Sequence, residues 1–284
     1  MEARDIIVDT QQSLTLPLKE TLIMPINDFH YGGDEAYAKM LKRHLAWGMK
    51  HNAYFLGLGD MLDVASTSGR QKLRAAGLFD SVVETLDEAA MKKVREVEEI
   101  LAPTKGRWLG WLQGHHYWEF SDGGTSDTRI CEDLGIPFLG TCAMIRLQFC
   151  GYGQAQRRCV IWCHHGAGGG SKQAAPLNKL ENLMPYFDAD IYLMAHVHKK
   201  TAAPIDQLYM DKKGKIQHRT RLIASTGSFY RSYMQGSQHN GRAQGGYVEK
   251  ALLNPAAIGG IVIRVRPMMG NTRYASKVDI NVEL

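Results

Sequence analysis

Thr21-Leu22-Ile23-Met24-Pro25-Ile26-Asn27-Asp28-Phe29-His30 sets a pattern that the rest of the chain repeats. A short apolar run bounded by polar residues has the length and composition of a buried strand. It stops at an acid and an imidazole two positions apart. Alternate residues of a strand share a face, so Asp28 and His30 are expected to leave the strand end on one side. Working outward, four more apolar runs end in the same way. Residues 53–58 close at Gly59-Asp60, with Asp63 three positions on, and residues 107–112 close at Gly114-His115-His116. Residues 158–163 run into His164-His165, and residues 190–195 into His196-Val197-His198.

Helical patterns fill the intervals. Asp34 is a candidate N-cap for a helix with Tyr37, Met40, Leu41, Leu45 and Gly48 on one face. A longer helix carries Leu86, Ala90, Val94, Val97 and Leu101 and stops at Pro103. Shorter helices are expected near residues 126–134 and from Pro176 to about residue 187. The later sequence turns mainly to strand, with hairpin turns expected at Gly151-Tyr152-Gly153, Lys212-Lys213-Gly214 and Met269-Gly270-Asn271. Alternating strands and helices imply βαβ units and a largely parallel sheet, and the β-rich tail implies a second sheet packed on the first. The expectation is an α/β fold in one domain over residues 1–284. The glycine-rich stretch from Ser228 to Gly246 is expected to be a long mobile loop.

Composition excludes other classes. In 284 residues, 44% hydrophobic and 9% aromatic content supports a packed core and rules out a mainly disordered chain. The net charge is +5 without a run of five basic residues, which permits an anionic partner but does not demand one. No apolar stretch approaches the roughly 18–20 residues that span a bilayer. Met1-Glu2-Ala3-Arg4-Asp5 leads into no apolar segment, so no signal peptide is expected. Cys131, Cys142, Cys150, Cys159 and Cys163 are odd in number and contain no C-x-x-C pair, which points to a reducing, cytoplasmic protein and away from a thiolate zinc site.

The five polar clusters carry the chemistry. Ligands of open α/β sheets bind beyond the carboxyl ends of the strands, where clusters distant in sequence meet. Asp and neutral His suit divalent manganese, iron and zinc. Two cations about 3.5–4 Å apart can hold both the attacking and the leaving oxygens of a phosphoryl displacement. Any one cluster has an ordinary reading as a turn or a helix cap; five in series, each closing a strand, do not.

The series resembles the calcineurin-like metallophosphoesterase family, whose pattern is D-x-H, G-D-x-x-D, G-N-H-[DE], a histidine after a strand, and G-H-x-H. The resemblance runs from Ile23 to about Lys200. It implies a four-layer α-β-β-α sandwich of two facing mixed sheets with flanking helices, and hydrolysis of phosphate esters by a hydroxide held between two divalent cations. Manganese is the first choice, with iron, zinc and nickel as alternatives. Carried over by position, Asp28, His30 and His198 hold one metal, Asp60 bridges, and His196 with His164 holds the other. His116 touches the phosphoryl group or protonates the leaving oxygen.

Three positions depart from the pattern: His115 stands for the asparagine and is retained as a ligand, Tyr117 stands for the acid, and Ala195 for a glycine. His116 therefore needs another acidic partner, Glu119 or Asp122 being nearby in sequence. His164 is favoured over His165 because it comes first after the strand, leaving His165 beside the metals or facing substrate. Asp63 is expected to cap a turn. The stretch from Gly166 to Lys172 lacks phosphate-loop spacing, although Lys172 and the loop N–H groups are candidates to touch phosphate, as is Tyr117 to touch substrate. Phosphodiesters are the leading substrate class. DNA or RNA is a candidate because Arg70, Lys72, Arg74, Lys199, Lys200, Arg231 and Arg242 interleave with Tyr230, Tyr233 and Tyr247. A phosphomonoesterase or protein-phosphatase-like enzyme is the alternative, and a catalytically degenerate metal-binding scaffold is a third reading. No membrane partner is expected, and the sequence leaves the oligomeric state open.

Overall fold

The computed structural model describes residues 11–33, 35–65, 67–151, 156–233, 238–239, 242–243, 246–268 and 278–284. In chain order the first half runs β1 (Gln11–Pro17), β2 (Thr21–Ile26), α1 (Ala38–Lys50), β3 (Tyr54–Gly57), α2 (Thr67–Ala75), α3 (Asp80–Leu101), β4 (Trp108–Trp111) and α4 (Ser126–Leu134). The second half runs β5 (Cys142–Cys150), β6 (Gln156–His164), α5 (Ala175–Leu183), β7 (Ile191–Met194), β8 (Lys200–Met210) and β9 (Ile216–Ser228). It finishes with the short β10 (Gln238–His239), β11 (Arg242–Ala243), α6 (Tyr247–Lys250) and β12 (Gly259–Gly260), then β13 (Val262–Pro267) and β14 (Val278–Glu283).

This is an α/β protein with two mixed sheets. One has the order β14-β13-β2-β3-β4, in which β2, β3 and β4 are parallel and β13 runs against β2. The other has the order β1-β5-β6-β7-β9-β12, with β8 on β9. There β6, β7 and β9 are parallel neighbours and β5 is antiparallel to β6. The parallel strands are buried on both faces, which is why they read as unbroken apolar runs.

Three apolar clusters hold the elements together. One joins Ile23, Leu56 and Leu109 of the first sheet to Ile145, Ile161, Leu193 and Ala224 of the second. Another packs Met24, Phe55, Trp108 and Trp111 against Leu41 and Leu45 of α1, Val94 of α3 and Ile130 of α4. The third sets Trp162, Tyr192 and Ile223 against Leu180 of α5. Neighbouring strand residues enter opposite clusters, as the two-residue period requires.

Some expectations change. α1 begins at Ala38 with Tyr37 at its N-cap and no side-chain cap bond, and Asp34 lies outside the described residues. β8 is eleven residues long, not a short strand before a turn. β1 and α2 are additions. The Tyr152 and Gly153 part of one expected turn, all of Met269-Gly270-Asn271, and most of 234–245 lie outside the described residues. Among the described residues no helix is long and apolar enough to cross a membrane, and all five cysteines are free thiols.

Candidate metal centre

The polar clusters follow the carboxyl ends of β2, β3, β4, β6 and β7, and the two sheets bring those ends together. The backbone there is unusual. Asp28 (φ 46°), His30 (51°), Asp60 (54°), His196 (69°) and His198 (58°) are five of the seven described non-glycine residues with positive φ. Each such residue costs on the order of 1–3 kcal/mol and persists only where its surroundings over-determine it. Asp28 and His30 therefore meet through a left-handed turn beyond the strand, not through the pleat. Phe29 between them is fully buried. The N–H groups of Phe29 and His30 donate to the Asp60 carbonyl (3.0 and 3.1 Å), tying the first two clusters together. Glycine is required where β3 and β4 end: a Cβ on Gly114 would stand 2.1 Å from Asp60 Oδ1.

Eight side chains converge. Asp60, His115, His165 and His196 present ligand atoms within 4.8 Å of one another, as do Asp28, His30 and His198, and His30 and Asp60 also group with His116. Asp60 Oδ1 accepts the backbone N–H groups of His115 and His116 (2.5 and 2.8 Å), which leaves Oδ2 facing the cluster, 3.0 Å from His165 Nε2 and 4.0 Å from His30 Nε2. Asp28 Oδ2 accepts from Asn27 Nδ2 (2.6 Å) and the His196 N–H (2.9 Å). Asp28 Oδ1 is left 3.5 Å from His198 Nε2 and 3.8 Å from His30 Nε2. Asn27 is in turn fixed by the Gly227 carbonyl and the Thr226 hydroxyl (both 2.8 Å).

His164 is not brought into these groups, and His165 is. His164 Nδ1 accepts the Gly166 N–H (2.7 Å) and its ring stacks along Trp162, on the face that packs against α5. Cys159, Ile161 and Cys163 face the other sheet, and the same parity carries His165 inward. His165 is 2% exposed, with Nδ1 against the Leu58 carbonyl at 2.5 Å. The partner of His116 also differs from expectation: its Nδ1 lies 3.0 Å from Asp63 Oδ1, whereas Asp122 pairs with Arg129. Asp63 is thus more than a turn cap.

Charge follows the geometry. Burial opposes ionisation of Asp28 and Asp60, but the surrounding imidazoles, His198 for Asp28 and His165 for Asp60, hold both below the usual carboxylate range. Burial also opposes protonation of His165, yet the Asp60 carboxylate raises it to about 9. Burial and the charge of His165 lower His196 to about 4, and lower His115 too. His116 is raised despite its burial because Asp63 stabilises its charged form.

The expected basic rim changes character. Lys199 is buried, its Nζ donating to the carbonyls of Gly170, Ser171 and Lys172 (2.5, 2.9 and 2.8 Å), while Lys179 takes those of Ala167, Gly168 and Gly169 (2.6, 3.1 and 3.3 Å). Carbonyls converging on two ammonium groups turn the N–H ends of those planar peptides away from the lysines, and Lys172 stays on the exposed surface. Arg70 is also buried, stacked 3.9 Å from the Tyr117 ring, which occupies Tyr117. Tyr230 packs its ring on His30 and His198 (5.2 and 5.7 Å) and donates to Glu35 Oε2 (2.8 Å). The side chains of Arg74, Arg242 and Tyr247 lie outside the described residues. Sequence reasoning passed over Asn27, and no spacing rule points to it.

The site fits divalent cations. Asp28 Oδ1 and His165 Nε2 are buried without a hydrogen-bond partner, although His165 Nε2 stands 3.0 Å from Asp60 Oδ2. His30 Nε2 and His198 Nε2 stand 3.2 Å apart, and His115 Nδ1 and His196 Nδ1 3.3 Å apart. Ligands bonded at about 2.0–2.1 Å to one ion in octahedral or tetrahedral array sit about 2.8–3.4 Å from their neighbours. The His30–His198 and His115–His196 spacings are those that two nitrogens sharing one ion would show, so these groups could each hold a cation.

Neither a protein-family model nor a curated protein matches the chain. Among solved structures, a conserved Streptococcus pneumoniae protein described as a predicted phosphoesterase is 13% identical, over 87% of this chain and 82% of that one, with a TM-score of 0.31. Vps29 of Entamoeba histolytica, complexed with zinc, is 13% identical over 93% and 98%, with a TM-score of 0.39. GAP50, the anchor in the inner membrane complex of Plasmodium, is 9% identical over 88% and 82%, with a TM-score of 0.44. Scores and identities this low leave the functional reading to rest on the side chains themselves.

Proposed function

We propose that this protein is a dinuclear metal-dependent phosphoesterase of the calcineurin-like kind, its single domain a four-layer α-β-β-α sandwich. The observation that carries the reading is the convergence of eight Asp and His side chains around two buried, unpartnered ligand atoms. Asp28, His30 and His198 hold one cation; His115, His165 and His196 hold the other; Asp60 faces both. Manganese is the first ion to test, with iron, zinc and nickel as the alternatives imidazole accepts. Two such ions, when bound, acidify water and neutralise phosphoryl oxygens.

The rest belongs to the chain. Asp63 orients His116 and favours its protonated form, so His116 is equipped to give a proton to the leaving oxygen. Asn27 and the His196 N–H occupy one oxygen of Asp28, so only the other points at the ions. Substrate class follows from charge. A monoester dianion asks for cationic side chains beyond the ions, and Arg70 and Lys199 are engaged with backbone carbonyls. A singly charged phosphodiester, such as a nucleic-acid linkage, asks for less. With manganese added, bis(p-nitrophenyl) phosphate should be hydrolysed with a higher kcat/KM than p-nitrophenyl phosphate. The reverse order would overturn the diester assignment, and inertness toward both with metal bound would overturn the enzyme.

A further inference from the structure

Arg70 sits on α2, away from every ligand in sequence, yet it is only 8% exposed. Its Nη1 donates to the carbonyls of Ala65 (2.9 Å), His115 (2.9 Å) and Tyr117 (2.6 Å). Its guanidinium carbon lies 3.9 Å from the centre of the Tyr117 ring. Burying a guanidinium is tolerable only when its donors and its flat face are used, and here two of the three carbonyls on Nη1 and the stacked ring belong to the segment that carries His115 and His116. A trans peptide is rigid and planar. Fixing the His115 carbonyl therefore fixes the His116 N–H, which donates to Asp60 Oδ1 at 2.8 Å beside the His115 N–H. From this brace the His115 imidazole reaches His196, 3.3 Å away between nitrogens.

We propose that Arg70 is a positioning residue for one of the two cation sites: it holds the backbone of His115 so that this imidazole completes the group with Asp60, His165 and His196. The proposal rests on the metal reading above but separates the two sites, because the carbonyls that Arg70 Nη1 holds belong to Ala65, His115 and Tyr117, outside the segments carrying Asp28, His30 and His198. An arginine that only stabilised the fold would lower Tm and weaken both sites alike.

Titration calorimetry of the full chain with Mn²⁺ tests this. Wild type should take up two ions. Arg70→Met should bind the ion at Asp28, His30 and His198 almost as wild type does and the other about 10–100-fold more weakly, the usual cost of losing a group that orients a ligand. The site weakened should be the one that His165→Asn removes. Arg70→Lys keeps the charge but not the fork and the flat face, so it should recover only part of the loss. Equal weakening of both sites, or a wild-type isotherm for Arg70→Met, overturns the inference. Should Arg70→Met fail to fold, Tyr117→Leu decides: selective weakening of the same site supports the brace and unchanged binding refutes it. A wild-type protein that takes up no Mn²⁺ would instead sink the metal reading, and this inference with it.

Discussion

His164 and His165 are chain neighbours with opposite fates, and the difference is strand parity. Trp162 and His164 face α5, while Cys163 and His165 face the other sheet. The sequence held this information: Cys159, Ile161 and Cys163 form the continuous apolar row, and the next member of the row is residue 165, not 164. His165→Asn should lose one of two bound manganese ions and nearly all hydrolysis. His164→Asn should retain both ions by elemental analysis and most of the activity. Asp63 was also legible in its spacing from Asp60, but its pairing with His116 was not, because that contact bridges two loops 53 positions apart. Asp63→Asn should keep the metal content and lower kcat about 10–100-fold in the same diester assay, in line with the loss of a hydrogen bond that orients a functional imidazole.

At the scale of elements, β2 and α4 stand where the apolar pattern put them. β1 was invisible because Gln11–Pro17 is polar and, among the described residues, sits at a sheet edge paired only to β5. α2 was invisible because TSGRQKLRA lacks an apolar stripe. The ends of β3 and β4 meet too closely for a side chain at Gly114. Gly114→Ala should displace Asp60, cost roughly 1–3 kcal/mol of stability as overpacking does, and abolish metal uptake, read by thermal melts with and without Mn²⁺.

α4 carries a second consequence. Asp127 is buried beneath the His115 segment and accepts from Trp111 Nε1 at 2.9 Å. Burial, reinforced by the charge of Asp60, raises its pKa from an ordinary 3.8 to about 7. Between those values the folded state holds a proton that the unfolded state has released, so raising the pH there lowers stability, and the penalty levels off above the upper value. Asp127→Asn should flatten the Tm profile across that window and melt higher than wild type at pH 7.5. An unchanged profile would mean that the carboxyl is ionised in the folded protein.

For the whole molecule, five of the seven described left-handed residues and two buried unpartnered atoms, Asp28 Oδ1 and His165 Nε2, lie where the two sheets meet, so the site costs stability that ligand binding returns. Two ions that bind only the folded chain should each contribute about 2.7 kcal/mol at a hundredfold excess over the dissociation constant. Adding manganese should therefore raise Tm by several degrees, and chelation should reverse the rise. Composition and alternation fixed the fold class in advance. Turn geometry did not follow from them, because left-handed backbone at Asp28, His30 and Asp60 is imposed by contacts between clusters.

Anomalous scattering from crystals grown with manganese tests the central claim most directly. Two peaks are predicted, one touched by Asp28, His30 and His198 and the other by His115, His165 and His196, with Asp60 between them. No peak, or a peak that these imidazoles turn away from, would contradict it.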